Sequence, residues 1–268
     1  MIVIAVDLIA LKVDNPFKKK YQYLVENSDK IKILLLGNSH IAQNIDETSL
    51  SPYSLNMAVG GSGFCHHKAV ADKFIPLLTD LNTIIINLDY IPEVDTSMKH
   101  KEIKPIDVSW GKKMNFLHSA YWNVYDGVIN KSAFLSNQIK PQINGTNNRF
   151  VGTLKDTTYH PKWWRSSEIG KISIEEYEEN INEISFFAQL CSKNGFRLIV
   201  LTAPVSDELC MRIKESQILK MQYLMDSISA QYPFEYRNYL CDEQFGSDRT
   251  LVIVLTSIIE EQPCLRNG

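Results

Sequence analysis

Four segments rich in hydrophobic residues, separated by patterns typical of amphipathic helices, organise this chain. Three are nearly continuous apolar runs (31–37, 83–89 and 196–202), and a fourth alternates apolar and polar positions (53–59). Continuous runs bounded by turn residues predict strands buried on both faces of a parallel sheet. Helical spacing follows at 66–81, 173–194 and 207–230, with a helical lead-in at 14–30 and a short last strand at 234–239.

Strands alternating with helices through short connections predict an α/β fold around a five-stranded, mainly parallel sheet. The chain of 268 residues is long enough to bury one large core. We expect a lead-in at 1–30, one α/β domain at 31–248, and an atypical tail at 249–268. Segment 93–170, rich in Asn, Lys, Tyr and Trp, interrupts the domain as an insertion over the top of the sheet. There His160 lies on a candidate substrate-facing wall; a helical side-lobe packing its own tryptophans is the alternative.

Composition excludes some classes of function. A formal net charge of -3 leaves no basic footprint for nucleic acid. The five cysteines show no C-x-x-C spacing, so we expect buried free thiols and neither a zinc site nor a dense disulfide framework. The Cys65-His66-His67 segment lacks a partner motif for a metal.

The apolar N-terminal stretch 1–13 is too short to span a bilayer, is interrupted by Asp7 and lacks the features of a signal peptide. It fits either the end of a membrane anchor that begins before Met1 or a short element of the domain. The basic cluster 18–20 would suit the interface side of such an anchor.

Candidate chemistry begins where the first strand ends, at Gly37-Asn38-Ser39-His40. Ligands and catalytic groups collect beyond the carboxyl ends of parallel strands, so Ser39 is a candidate nucleophile. The alternative is a polar turn in which Asn38 or Ser39 caps the next helix. The glycine-rich segment 60–63 follows the second strand and permits positive φ with backbone amides facing a ligand.

These two motifs resemble the first two blocks of the SGNH/GDSL hydrolase superfamily, with Asn38 replacing the usual Asp. The resemblance implies a three-layer α/β/α, flavodoxin-like fold in which Ser39 is the nucleophile and Gly61 supplies an oxyanion-hole amide. Asn87, in Asn-Leu-Asp where the family has G-x-N-D, would be a further donor. The positions that we expect to line the substrate site are Asn38, His40, Gly60, Asp89 and His160.

The family's last block, D-x-x-H, should supply a histidine base and its aspartate, yet no histidine follows His160. We therefore expect little or no activity. One hypothesis is that the chain from about position 249 is read out of frame, because codons for 250–261 permit D-x-x-H in a shifted frame. A genuine terminal strand or helix is the alternative. His40, His66, His67 and His160 are the candidate replacement bases.

By resemblance, the leading interpretation is a serine esterase or acyltransferase-like protein acting on O-acylated cell-envelope carbohydrate, without metal or organic cofactor. The partner would be a small-molecule or carbohydrate ester, with membrane association through an anchor that precedes Met1. Such an anchor would place the domain in the cell envelope, facing the periplasm; otherwise we expect a cytoplasmic protein.

The alternative function is that of a non-catalytic carbohydrate-binding or envelope-assembly protein that uses the same cleft. A flavodoxin-like nucleotide binder is disfavoured, since 60–63 lacks G-x-G-x-x-G spacing.

Overall fold

Five parallel strands form the central sheet. The structure, a computed structural model, describes residues 16–45, 47–58, 62–89, 93–97, 171–205 and 207–242. The strands of this sheet are β1 (Ile33–Leu36), β2 (Ser54–Asn56), β3 (Thr83–Asn87), β6 (Arg197–Thr202) and β7 (Glu235–Asn238). Their order is β2-β1-β3-β6-β7 and every neighbouring pair is parallel, which confirms the predicted α/β class.

The register of the strands brings the ends of β1 and β3 together. Leu36, the last residue of β1, pairs with Ile86, so Gly37 and Asn87 come next on adjacent strands. Parallel strands end at one edge of a sheet, which we call the carboxyl edge. The polar residues that follow the apolar runs therefore meet there.

Alternate strand residues face two separate cores, as expected for strands buried on both sides. Leu34, Ile84 and Val200 belong to one core, and Leu35 and Ile199 belong to the other. We call these the first and second faces of the sheet. This alternation explains why the runs read as continuously apolar.

Six described helices surround the sheet: α1 (Pro16–Glu26), α2 (Ser39–Asn44), α3 (Phe64–Phe74), α4 (Ile174–Asn194), α5 (Asp207–Cys210) and α6 (Glu215–Ser229). Buried residues of α1, α3, α4 and α6 contribute to the core on the first face, whereas α2 packs Ile41 and Ala42 on the second. Short 3-10 helices lie at Glu47–Ser49 and Ile75–Leu77. Helix α4 begins with a capping box between Ser173 and Glu176, as predicted.

A separate pair of short parallel strands flanks the predicted insertion. These strands are β4 (Glu93–Val94) and β5 (Lys171–Ile172). The chain thus leaves and re-enters the described fold at adjacent positions. The interior of the predicted insertion, 98–170, lies outside the described residues, as do 1–15 and the tail from 243 onward.

The single helix expected at 207–230 is wrong, because the chain turns between α5 and α6. A disulfide joins Cys210, at the end of α5, to Cys241 with a Cα–Cα distance of 5.6 Å. The expectation of only free thiols is therefore also wrong. Cys191 is a buried free thiol whose burial raises its pKa to about 12, and Cys65 is an exposed one.

Lys20, one residue of the basic cluster 18–20, lies inside the fold rather than at its surface. Its side chain is buried, and its Nζ donates to the carbonyl of Ala58 at 2.9 Å. This ammonium supports the end of β2 instead. Within the described ranges, no helix has both the length and the hydrophobicity needed to cross a bilayer.

Candidate active site

Gly37 directly follows β1, and its backbone adopts a conformation that favours glycine. Its φ is +153°, and a Cβ atom built there would lie only 2.1 Å from Asn87 Oδ1. A larger residue would displace the Asn87 side chain or strain the backbone. The missing side chain therefore lets Asn87 approach the backbone of the next residue.

The backbone N–H and the side chain of Asn38 make three hydrogen bonds at this strand end. Its backbone N–H donates to Asn87 Oδ1 at 3.0 Å, and its Nδ2 donates to Asp89 Oδ2 at 2.5 Å. Its Oδ1 accepts from the backbone N–H of His40 at 2.9 Å, which caps α2. The cap that the sequence offered as an alternative to a nucleophile is thus present on Asn38.

Asn87 closes a ring of hydrogen bonds with Asn38 and Asp89. Its Nδ2 donates to Asp89 Oδ1 at 2.9 Å, while its oxygen accepts from Asn38. The two partners define the amide orientation, because only the oxygen can accept and only the nitrogen can donate. We call these three residues the strand-end cluster. The Asn87 amide carries one further N–H besides the one that donates to Asp89.

Ser39 is the first residue of α2 and follows the Asn38 cap; the described part of this residue is its backbone. The His40 ring lies beside Asp89, with His40 Nε2 3.9 Å from Asp89 Oδ1. This is within ion-pair range but beyond hydrogen-bond distance. Gly60, Gly61 and His160 lie outside the described residues.

A second polar cluster lies where α3 meets α4. Ser62 Oγ is 2.8 Å from His67 Nε2, and His67 Nδ1 is 2.5 Å from Glu183 Oε1. Ser62, His67 and Glu183 are 8%, 3% and 8% exposed, respectively. We call these residues the buried relay. Polar groups desolvated this far interact more strongly than at the surface.

The two clusters hold one peptide group from opposite sides. Ser62 Oγ donates to the carbonyl of Gly37 at 3.0 Å, and the N–H of the same peptide, on Asn38, donates to Asn87. Hydrogen bonds on both ends of a peptide group polarise it and strengthen one another. The backbone immediately before Ser39 is therefore held in one orientation.

Lys20 and Glu47 support the strand that leads into the glycine-rich segment. Both are buried, and Lys20 bonds to the carbonyl of Ala58, two residues after β2. Burial lowers the pKa of Lys20 to about 8, and the Glu47 carboxylate opposes this shift. Asn56 adds a further restraint, because its side chain bonds to the Ile41 carbonyl and the Ala58 N–H.

The sequence predicted that the strand-end cluster lies at this edge. It did not predict that the three residues of the buried relay lie together. His67 was one of four candidate replacement bases for Ser39, and the structure places it against Ser62 instead. Glu183 was missed. The available signal was a carboxylate between Ile181 and Ile184 on the core-facing side of a helix, where an unpaired charge is costly.

No group of three or more metal-ligating side chains is arranged to hold an ion among the residues that the structure describes. No protein-family model matches the chain, and a comparison with curated proteins finds no match either. The site is therefore interpreted from its own geometry.

Proposed function

We propose that the carboxyl edge of this sheet is a serine acyl-transfer site of the SGNH hydrolase type, acting on a carbohydrate O-ester. One observation carries the proposal: the side chains of Asn38, Asn87 and Asp89 converge at the ends of adjacent parallel strands. Asn38 is the residue directly before Ser39. Amide donors around a serine at this edge are what acyl transfer requires.

The strand order supports the flavodoxin-like part of the proposal. Numbered within the central sheet alone, the strands run 2-1-3-4-5. In folds with this order, ligands bind where the path of the chain reverses, between the first and third strands. Here these strands are β1 and β3, which carry Gly37 and Asn87 at their ends.

In the proposed site, Ser39 attacks the acyl carbonyl, and Asn87 with the Gly61 amide stabilises the developing negative charge. The Asn38 cap holds the start of α2, and Asp89 fixes the Asn87 amide. Loss of one oxyanion donor typically costs about 100- to 1000-fold in rate. Because the D-x-x-H block is absent, we expect turnover to be slow.

We further propose that the domain works in the cell envelope. The Cys210–Cys241 disulfide supports this, since disulfides persist mainly in oxidising compartments. Thiol titration of protein purified without reductant from the native compartment tests it. Recovery of both cysteines as free thiols would contradict the envelope location.

Hydrolysis of 4-nitrophenyl acetate and of an acetylated oligosaccharide tests the chemistry. Purified wild-type protein should hydrolyse both faster than S39A, with S51A as the matched serine control. Equal rates for wild type and S39A would exclude catalysis by Ser39. If the oligosaccharide then still bound, the non-catalytic binding function would replace this proposal.

A further inference from the structure

We propose that Ser62 is a second activated serine, with His67 as its general base and Glu183 as the residue that orients the base. A nucleophile, a base and an orienting carboxylate in hydrogen-bonded sequence define the triads of serine hydrolases on unrelated folds. The buried relay has this order and these distances, 2.8 Å and 2.5 Å. The proposal does not depend on Ser39.

The tautomer of His67 follows from its neighbours. A Glu183 carboxylate beside Nδ1 accepts a hydrogen bond, so in the neutral imidazole Nδ1 carries the proton and Nε2 presents its lone pair to Ser62. This is the arrangement in which a histidine removes the proton from a serine hydroxyl. Glu183 also stabilises the imidazolium that results.

The position of Ser62 favours negative charge on the reacting oxygens. Ser62 lies one residue before Gly63, which caps α3, and α3 is 11 residues long. The positive end of the helix macrodipole stabilises an anion at such a position. It would support the oxyanion of a tetrahedral intermediate.

The Gly37 carbonyl competes with His67 for the hydroxyl proton of Ser62. When Ser62 donates to Gly37, at 3.0 Å, its oxygen accepts from a protonated Nε2 of His67, and the hydroxyl is at rest. When Nε2 is unprotonated, the hydroxyl donates to it instead, and the oxygen becomes a nucleophile. Loss of the Nε2 proton and rotation of the O–H bond therefore convert the resting state into the active one.

The reaction would be acyl transfer from a small ester. Ser62 Oγ forms a bond to the acyl carbon as its proton passes to His67 Nε2. The bond from the acyl carbon to the alcohol oxygen then breaks, and His67 returns the proton to the leaving alkoxide. Water, deprotonated by the same histidine, then attacks the acyl carbon, the bond to Ser62 Oγ breaks, and His67 returns its proton to that oxygen. Because Ser62 is only 8% exposed, we expect an ester with a small acyl group, such as acetyl, to be the substrate.

Methanesulfonyl fluoride, a small reagent that modifies activated serines, provides the test. An activated Ser62 displaces fluoride, forming a stable O–S bond as the proton moves to His67. Peptide mass spectrometry of labelled wild-type protein then identifies the modified residue. We expect labelling of Ser62, and we expect H67N to slow it about 100-fold, as for loss of a general base. E183Q should slow it as well.

The exposed Glu178 on the same helix provides the matched control, and E178Q should label like wild type. Wild-type protein in which Ser62 stays unmodified would overturn the proposal and leave the relay as a structural clamp. Labelling of Ser39 alone would overturn it too while supporting the proposed function. Labelling of Ser62 at equal rates in wild type and H67N would remove the base from the proposal and overturn it.

Discussion

The strand-end cluster and the buried relay hold the same peptide group but differ in their exposure to solvent. In the strand-end cluster, the Asp89 side chain is 42% exposed, and that of the adjacent His40 is 23% exposed. The side chains of His67 and Glu183 are only 4% and 11% exposed. Solvated polar groups can rearrange to meet a ligand, whereas desolvated ones are costly to separate. From this difference we infer that the strand-end cluster can adjust to a ligand, whereas the buried relay keeps a fixed geometry, both around Ser62 and at the Gly37 carbonyl.

The largest expected effect comes from the glycine at which both clusters meet. G37A should lower the free energy of unfolding by about 4 kcal/mol, because a positive φ and a clash with the Asn87 side chain add together. Denaturant unfolding measures it. G195A is the matched control: Gly195 also has positive φ (+69°), yet a Cβ atom added there would meet nothing within 4 Å, so about 1 kcal/mol is expected. Equal costs would show that Asn87 does not occupy the space beside Gly37.

Removing one histidine from each region tests the difference in exposure. H67L should cost about 3 kcal/mol, since it leaves the Glu183 carboxylate buried without its partner. H40L should cost less than about 1 kcal/mol, because the contact of His40 with Asp89 is long, at 3.9 Å, and partly solvated. Chemical denaturation at neutral pH gives both values.

A double variant serves as the control for the relay. H67L with E183M replaces both hydrogen-bonded partners by apolar groups, so much of the lost stability should return. If the double variant were as unstable as the sum of its single variants, the loss would come from packing rather than from a stranded charge.

The third prediction concerns Lys20, which supports the segment between the clusters. Its folded pKa of about 8 lies below the ordinary 10.5, so between these values the unfolded chain binds more protons. The free energy of unfolding of the wild type should therefore rise relative to K20M by about 2 kcal/mol from pH 7 to pH 10. The raised pKa of Cys191 acts oppositely above about pH 9, but in both proteins alike, so it cancels.

The exposed Lys30 supplies the matched control for this titration. The difference between K30M and wild type should stay constant over the same pH range. A constant difference for K20M as well would show that Lys20 is not desolvated in the folded state.

Local patterns were enough to predict most of the scaffold. The apolar runs predicted β1, β3 and β6, and Ser173 with Gly195 predicted both ends of α4, because caps and burial act within a few residues. The helix expected at 207–230 was wrong because the break between α5 and α6 accompanies a disulfide to Cys241. Spacing does not determine which cysteines pair.

The site was predictable only where it depended on strand ends. Asn38 and Asn87 meet because parallel strands end at one edge, which an apolar run already indicates. His67 and Glu183 lie 116 positions apart and meet only because α3 packs against α4. No local pattern encodes that contact, and the sequence accordingly offered His67 without its partner.

The most direct test of the account is a double-mutant cycle between the two clusters, using S62A, N87A and the double variant. Both side chains bond to the Gly37–Asn38 peptide, one through its carbonyl and one through its N–H. Because these bonds reinforce each other, the double variant should lose at least about 0.5 kcal/mol less than the sum of the single losses. A cycle of S51A with N87A should show additivity. Additive losses for S62A and N87A would contradict the claim that the two clusters hold this peptide group together.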